Sequence, residues 1–144
     1  MLPAASAHRP PAPGLERLAE LVDRFAGGDV EITLRREGEP DGVPPVVGLA
    51  AYRIVQEALT NVLRHSGARH AAVSVVRGDG RLMVEVVDDG LSATPPAGSG
   101  FGLVGMRERA SAAGGTIDYG TVPGGGFRVR AELPARGGDG GERP

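Results

Sequence analysis

At residues 52–70 the chain reads YRIVQEALTNVLRHSGARH. Apolar residues recur in this stretch at helical spacing, so one side of the helix is predicted to be buried. This apolar stripe consists of Ile54, Val55, Ala58, Leu59 and Val62. Glu57 and Asn61 lie one turn apart on the same side of the helix and can therefore face one ligand. The helix is expected to run from about Val47 to Arg64.

Size and composition limit the kinds of protein that this chain can be. Its 144 residues and 40% hydrophobic content suit one domain with a buried core. The absence of cysteine excludes disulfides and thiolate metal sites, and no apolar run is long enough to span a bilayer. The net charge of −2 and the few aromatic residues argue against direct nucleic-acid binding. We expect a cytoplasmic domain that makes no membrane contact of its own.

All 16 basic residues are arginines, and no lysine occurs. This excludes chemistry that needs a lysine amine, such as the P-loop lysine, the strand lysine of eukaryotic-type protein kinases and Schiff-base catalysis. A phosphate-binding site in this protein must therefore use other groups.

The ends of the chain differ in composition from its middle. Residues 1–14 are rich in Pro and Ala and are expected to form a flexible linker, and residues 135–144 a flexible Gly-rich tail. The folded domain is therefore expected at residues 15–134.

Within that range the patterns predict the order helix, strand, helix, strand, strand, helix, strand, strand. A loop at 90–100, long enough to be a lid, precedes the third helix. The other segments are 15–28, 30–37, 47–64, a hairpin at 70–90, 101–115, 116–120 and 126–134. This order predicts an α+β fold, a two-layer α/β sandwich with helices on one face of a mixed, mostly antiparallel sheet.

Alternation in two of the strands predicts which side chains face the core. In the first strand these are Val30, Ile32 and Leu34, and in the last strand Phe127, Val129, Ala131 and Leu133.

The pair Glu57 and Asn61 offers a carboxylate and a side-chain carbonyl. These are hard oxygen ligands suited to Mg²⁺ held jointly with substrate phosphates, and a carboxylate can also orient a water. Arg64 and His65, further along the helix, are candidate phosphate contacts. The alternatives are a solvated helix face for the first pair and an ordinary helix C-terminus for the second.

The stretch VVDDG, residues 86–90, takes a buried strand directly into two adjacent carboxylates. A carboxylate at the edge of the core can accept a hydrogen bond from an exocyclic amine such as N6 of adenine. The alternative is a plain turn, because Asp-Gly is common in turns.

The stretch GSGFGLVGMRER, residues 98–109, places three glycines immediately before or at the start of a helix. Glycines there let backbone N–H groups approach an anion at the positive end of the helix. Flexibility alone is the alternative. Arg107 and Arg109 fit either phosphate contacts or exposed surface residues.

Taken in order, these elements resemble the ATP-binding catalytic domain of sensor histidine kinases, within the superfamily that includes gyrase, Hsp90 and MutL. RIVQEALTNVLRHS is similar to the N-box of that family, DDG to its G1 box and GSGFGLVGMRERA to its G2 box. Together with the stretch GGTIDYGTVPGGGFRVRAELP, residues 114–134, the sequences of these boxes are most similar to those of kinases paired with helix-turn-helix response regulators. The resemblance covers about residues 15–134 and implies the Bergerat form of the sandwich, closed by an ATP lid.

The resemblance also implies ATP and Mg²⁺ as cofactors and a role for each matching residue. Asn61 would coordinate Mg²⁺, and Glu57 would be a second metal ligand or a general base. Asp88 would bind the adenine amino group, with Gly90 opening the turn. The cofactor-binding set is completed by Arg64, His65, Gly100, Gly102 and Leu103.

Three positions depart from the family pattern. Ser92 stands where a glycine usually follows the G1 glycine. Gly126-Phe127 replaces a Gly-Thr pair whose hydroxyl helps to hold phosphates. Phe101 lies between the G2 glycines, where His or Leu is common. These departures are expected to weaken affinity or turnover without removing the metal or adenine site.

The helical segment that carries a phosphoacceptor histidine in this family is missing from the sequence. His8 lies in the predicted linker, His65 in the N-box and His70 at a strand entry, so none suits that role. The expected partners are a histidine-bearing dimerisation domain and, indirectly, a response regulator. We expect the chain to be inactive in transfer alone, and to be either free or the cytoplasmic part of a membrane-anchored kinase.

Other functions remain open at this point. An anti-sigma-factor serine kinase has the same fold without a phosphoacceptor domain and would phosphorylate a serine of its partner. A nucleotide-sensing module would bind ATP and transfer nothing. A clamp ATPase of the gyrase type is disfavoured, because such enzymes use a lysine from a following domain.

Overall fold

The computed structural model describes residues 13–39, 41–90 and 100–135, without the side chains of His65, Ser66 and Phe101. The predicted linker up to residue 12, the central part of the predicted lid and the tail from residue 136 lie outside the described residues. No helix within the described ranges is long and apolar enough to cross a bilayer.

Three α-helices and five strands make up the described chain. They are α1 Leu18–Phe25, β1 Glu31–Glu37, α2 Pro45–Asn61, β2 His70–Gly78, β3 Arg81–Asp88, α3 Gly100–Ala112, β4 Thr116–Thr121 and β5 Phe127–Pro134. A 3₁₀ turn, Leu15–Arg17, leads into α1, and a π-helical turn, Val62–Ser66, continues α2. The order of elements agrees with the prediction.

The strands form one sheet in the order β1-β2-β3-β5-β4. Only β1 and β2 run parallel; the other three pairs are antiparallel. Helices α2 and α3 pack on each other, α2 also packs on β3 and β5, and α3 on β4 and β5. The α+β class and the mixed, mostly antiparallel sheet predicted from the sequence are thus confirmed.

The core lies between the helices and the inner face of this sheet. All five residues of the predicted apolar stripe, four on α2 and Val62 at the start of the π-helical turn, are buried, with exposures of 4% or less. Opposite them, the inward residues of β3 and β5 are Leu82, Val84, Val86, Val129, Ala131 and Leu133. Of the inward residues predicted for the first and last strands, Val30, Val129, Ala131 and Leu133 are buried, whereas Ile32, Leu34 and Phe127 are only partly buried against the core.

Helix α2 differs from the prediction at both ends. It begins at Pro45, a residue suited to the first helical position because its missing N–H would have no partner there. The α-helical part ends at Asn61, and the wider π-helical turn ends at Gly67, which has a φ of 66°. Residues beyond Asn61 therefore do not keep the α-helical spacing from which Arg64 was placed one turn further on.

Arg77 of β2 links the segment that follows β1 to the residue that follows β5. Its guanidinium donates to the backbone carbonyls of Glu39 and Asp41, and to that of Ala135 at 2.7 Å. Ala135 is fully buried, and its N–H donates to Gly80 at 2.8 Å. The packed region thus includes Ala135, which the sequence had assigned to the tail.

Candidate functional site

Glu57 and Asn61 lie on the last two turns of α2, and both are half-buried. The stripe that includes Ala58 and Leu59 anchors the helix in the core, so its opposite side is held in a fixed position. The predicted pairing of a carboxylate and an amide on one side of the helix is therefore present in the structure.

Gly102, in the first turn of α3, approaches both of these side chains. A Cβ atom on Gly102 would lie 3.2 Å from Nδ2 and 3.4 Å from Oδ1 of Asn61, and 3.3 Å from Oε1 of Glu57. The start of α3 is held there by Leu103 and Met106, which are buried in the core. The structure thus brings together three residues that were singled out from separate parts of the sequence.

The other residues predicted for the phosphate end lie on the π-helical turn and in the first turn of α3. Arg64 is exposed on the π-helical turn, and the side chain of His65 lies outside the described residues. Gly100 is the first residue of α3, so its backbone belongs to the N-terminal turn of the helix. Leu103 is 8% exposed, and its side chain serves the core.

Asp88 ends β3 and is the buried acidic residue of the described chain, with 7% exposure. Its Oδ1 accepts the N–H of Gly90 at 2.7 Å, and the backbone N–H of Phe127 also donates to the carboxylate. Burial raises the pKa of Asp88, while these two hydrogen bonds act in the opposite direction. The result is a carboxylate fixed at the edge of the core, as the sequence predicted for VVDDG.

Gly126, the residue before β5, packs against the backbone of Asp88. Its φ is 104°, and a Cβ atom there would lie 2.1 Å from the carbonyl oxygen of Asp88. Only glycine fits this position, because a side chain would collide with backbone and the conformation is strained for other residues. Gly126 thereby allows Phe127 to pair with Asp88 across the two strands.

These features occur together in a known ATPase family. The family model described as "Histidine kinase-, DNA gyrase B-, and HSP90-like ATPase" matches residues 47–137, a range that begins within α2. The chain belongs to this family. The residues described above therefore lie in an ATPase domain of this family.

Curated relatives of the ATPase domain are sensor histidine kinases. Sensor histidine kinase YxjM of Bacillus subtilis is 44% identical over 91 residues, covering 63% of this chain and 22% of YxjM. Sensor histidine kinase LiaS of the same organism is 34% identical over 124 residues, covering 83% of this chain and 33% of LiaS. The chain thus spans between 22% and 33% of the length of these relatives. Within the ATPase family, the chain is thus similar to part of these sensor histidine kinases.

A solved structure shows the same fold. The blue-light activated histidine kinase EL346 of Erythrobacter litoralis superimposes with a TM-score of 0.66 at 21% identity, covering 86% of this chain and 42% of that chain. The superposition covers a larger share of this chain than the family model does.

A second polar cluster of the ATPase domain was not predicted from the sequence. Asp89 accepts the backbone N–H groups of Arg69 and His70, each at 2.9 Å, and His70 Nδ1 lies 3.0 Å from its other oxygen. His70 Nε2 lies 3.2 Å from Glu31 of β1. The adjacent carboxylates of DDG were the available signal, since strand alternation turns one inward and the other outward.

The charges in this cluster shift each other's proton affinity. The hydrogen bonds from His70, first its backbone N–H and then its side chain, lower the pKa of Asp89 to about 2. The hydrogen bond to Asp89 is the main cause that raises the pKa of His70.

Arg107 of α3 points towards β4 in the structure. Its guanidinium lies 5.6 Å from the ring centre of Tyr119 and donates to the Tyr119 hydroxyl at 3.4 Å. The Tyr119 ring in turn lies 6.2 Å from that of Phe127. Arg107 was interpreted either as a phosphate contact or as an exposed surface residue, and its contact with Tyr119 favours the surface residue.

Proposed function

We propose that this chain is the Mg-ATP-binding domain of a two-component sensor histidine kinase and supplies the γ-phosphoryl group to a histidine on a dimerisation segment. The observation that carries the proposal is the convergence of Glu57, Asn61 and Gly102 at the start of α3. The kinase relatives support the reaction class.

The donor set at Gly102 fits Mg²⁺ shared with phosphates. The backbone of Gly102 lies against the carboxylate of Glu57 and the amide of Asn61, whose oxygens are of the kind that Mg²⁺ prefers. Among the described residues no group of three or more His, Cys, Asp or Glu could hold a metal by itself. The remaining ligands would come from the nucleotide and water, and bound Mg²⁺ would neutralise charge on the transferring phosphoryl group.

The adenine end of the site would be Asp88. A carboxylate with its position fixed by Gly90 and Phe127 can accept the N6 amine of adenine, whereas guanine presents an oxygen at that place. The ATPase domain would therefore prefer ATP to GTP.

Groups other than lysine would hold the phosphates. The N-terminal turn of α3, with Gly100 and Gly102, offers backbone N–H groups at the positive end of the helix dipole. Arg64 and His65 are the proposed cationic contacts near the phosphates, and Glu57 could also act as a general base.

The proposed partners follow from the reaction. A bond would form between an imidazole nitrogen of the dimerisation segment and the γ-phosphorus, and the bond to ADP would break. A response regulator of the helix-turn-helix type would then take up the phosphoryl group. We place this chemistry in the cytoplasm, where ATP is available.

The proposal is tested by calorimetric titration of the purified chain with Mg-ATP and Mg-GTP, alongside Asp88→Asn. We expect selective binding of ATP that the substitution abolishes while the melting curve stays cooperative. Failure of the folded chain to bind either nucleotide would reject the proposal.

A second assay addresses the reaction itself. A dimerisation segment from a related sensor kinase is supplied in trans with labelled Mg-ATP, and acid-labile phosphohistidine is measured. Binding without transfer would favour a nucleotide-sensing module, and transfer to a serine of a partner would favour a serine kinase.

A further inference from the structure

The cluster that links Glu31, His70 and Asp89, which we call the His70 bridge, joins three segments distant in sequence. Glu31 begins β1, His70 begins β2 and Asp89 follows β3. The imidazole lies between the two carboxylates, 3.2 Å from Glu31 and 3.0 Å from Asp89. The bridge therefore links the first residues of β1 and β2 to Asp89, the residue that follows Asp88.

Asp89 is held on both its backbone and its side chain. Its N–H donates to the carbonyl of His70 at 3.1 Å, and its Oδ1 accepts the N–H groups of Arg69 and His70. The next residue, Gly90, donates to Asp88. The bridge thus fixes one end of the turn whose inward carboxylate is Asp88.

We propose that His70 is a positioning residue for adenine recognition: protonated, it holds Asp89 and thereby the Asp88–Gly90 turn, so that ATP binds more tightly when His70 is charged. This inference rests on the proposed role of Asp88 as the adenine acceptor.

The charges around His70 determine the sign of the effect. Glu31 and Asp89 face the imidazole, and Asp29 and Arg69 border the same surface groove, whose helical side is formed by Val62 and Leu63. Because the pKa of His70 is raised, mainly by Asp89, the charged bridge is complete at lower pH and is lost as pH rises through that pKa. ATP affinity should therefore fall on alkalinisation.

Two other effects of pH are distinguishable from this one. Protonation of Asp88 would weaken ATP binding as pH falls, which is the opposite direction. A positive charge that merely attracted phosphates would change the affinities of Mg-ATP and Mg-GTP alike, whereas repositioning of Asp88 changes the preference for ATP.

The experiment measures Kd for Mg-ATP and Mg-GTP from about pH 6 to about pH 9, the range in which histidine titrates. The chains compared are wild type, His70→Gln, Asp89→Asn and the matched control His8→Gln, which removes an imidazole from the predicted linker. We expect Kd for ATP to rise about two- to fivefold in wild type and His8→Gln, the range of an exposed ion pair. In His70→Gln and Asp89→Asn, Kd for ATP should not change with pH and should equal the higher Kd that wild type shows at alkaline pH.

A reciprocal measurement checks the same coupling. If the charged bridge favours ATP binding, saturation with Mg-ATP must raise the pKa of His70 in an NMR titration. A purely structural role for His70 would change the melting temperature and leave this pKa unmoved by ATP.

The outcomes separate the two proposals. ATP binding with a pH profile that persists in His70→Gln, or with no profile in wild type, rejects the role of His70 and leaves the nucleotide site intact. Failure of wild type to bind ATP at any pH rejects both the proposed function and this inference.

Discussion

Gly102 faces Asn61 so closely that a methyl group on its Cα would lie 3.2 Å from the Asn61 Nδ2 atom. The same methyl group would lie 3.3 Å from Oε1 of Glu57. Both distances are shorter than ordinary van der Waals contact. The first turn of α3 can therefore approach the last turns of α2 this closely because residue 102 has no side chain.

Gly102→Ala should weaken the binding of Mg-ATP without lowering the stability of the domain. Alanine favours a helix over glycine by up to about 1 kcal/mol, so the melting temperature should be unchanged or higher. The added methyl group would displace Asn61 and Glu57, and the loss of one or two polar contacts should weaken Mg-ATP binding about tenfold or more. Calorimetry and thermal melting of the same sample measure both effects.

Gly105→Ala is the matched control on the same helix. A Cβ atom there meets nothing within 4 Å, so the variant should keep wild-type affinity for Mg-ATP. Equal weakening in the two variants would attribute the effect to the helix backbone and not to the contact with Asn61.

Asn61→Ala should weaken ATP binding mainly when Mg²⁺ is present. The side-chain carbonyl is proposed as a metal ligand, and its loss should cost about tenfold in Kd with Mg²⁺ and much less in EDTA. Calorimetric titrations under the two conditions give the comparison. Equal losses with and without Mg²⁺ would show that Asn61 does not contact the metal.

Asp88→Asn should abolish ATP binding without lowering stability. Burial raises the pKa of Asp88, so its charged form carries a penalty in the folded state at neutral pH that is relieved as pH falls through that pKa. Asparagine removes the charge and still offers an oxygen to the N–H groups of Gly90 and Phe127. At pH near 7 the melting temperature should therefore equal or exceed that of wild type.

The matched control for this substitution is Asp79→Asn in the β2–β3 turn. Asp79 is exposed and has a φ of 56°, which asparagine tolerates, so both stability and ATP affinity should be kept. A clear loss of stability in Asp88→Asn alone would mean that the carboxylate is structural.

Most of the fold follows from local patterns. The apolar stripe that ends α2, the alternation of β5 and the hairpin at 70–90 each follow from a local pattern, and all three are observed. The order of these elements then leaves the two-layer sandwich as the arrangement that buries every apolar face.

The parts that the sequence did not predict depend on non-local contacts. Glu31 meets His70 because β1 and β2 pair in parallel in the register Glu31↔His70, and no residue pattern states that register. After Asn61 the chain forms a π-helical turn, in which hydrogen bonds join residues five apart instead of four. The side chains of this segment do not indicate which of these two hydrogen-bond patterns forms. Hence the pairing of Glu57 with Asn61 was predictable, while the position of Arg64 and the His70 bridge were not.

Ala58→Arg should unfold the domain. Ala58 is 2% exposed on the buried side of α2, and an unpaired charge there costs several kcal/mol, a large part of the stability of a small domain. Circular dichroism should show loss of the cooperative transition. Val46→Arg, on the same helix at a position 55% exposed, should melt as wild type does; normal melting of Ala58→Arg would mean that the buried side of α2 is misassigned.

Arg77→Gln should destabilise the domain without touching the nucleotide site. The guanidinium binds the carbonyls of Glu39, Asp41 and Ala135, and glutamine is too short to reach all three. Loss of these charge-assisted bonds should cost about 1–2 kcal/mol, measured by urea denaturation. Arg36→Gln, an exposed arginine on the neighbouring strand, is the control and should cost little. Because Arg77 joins the residue 39–41 region to the C-terminal end of β5, equal unfolding midpoints for the two variants would show that these segments are held by the core alone.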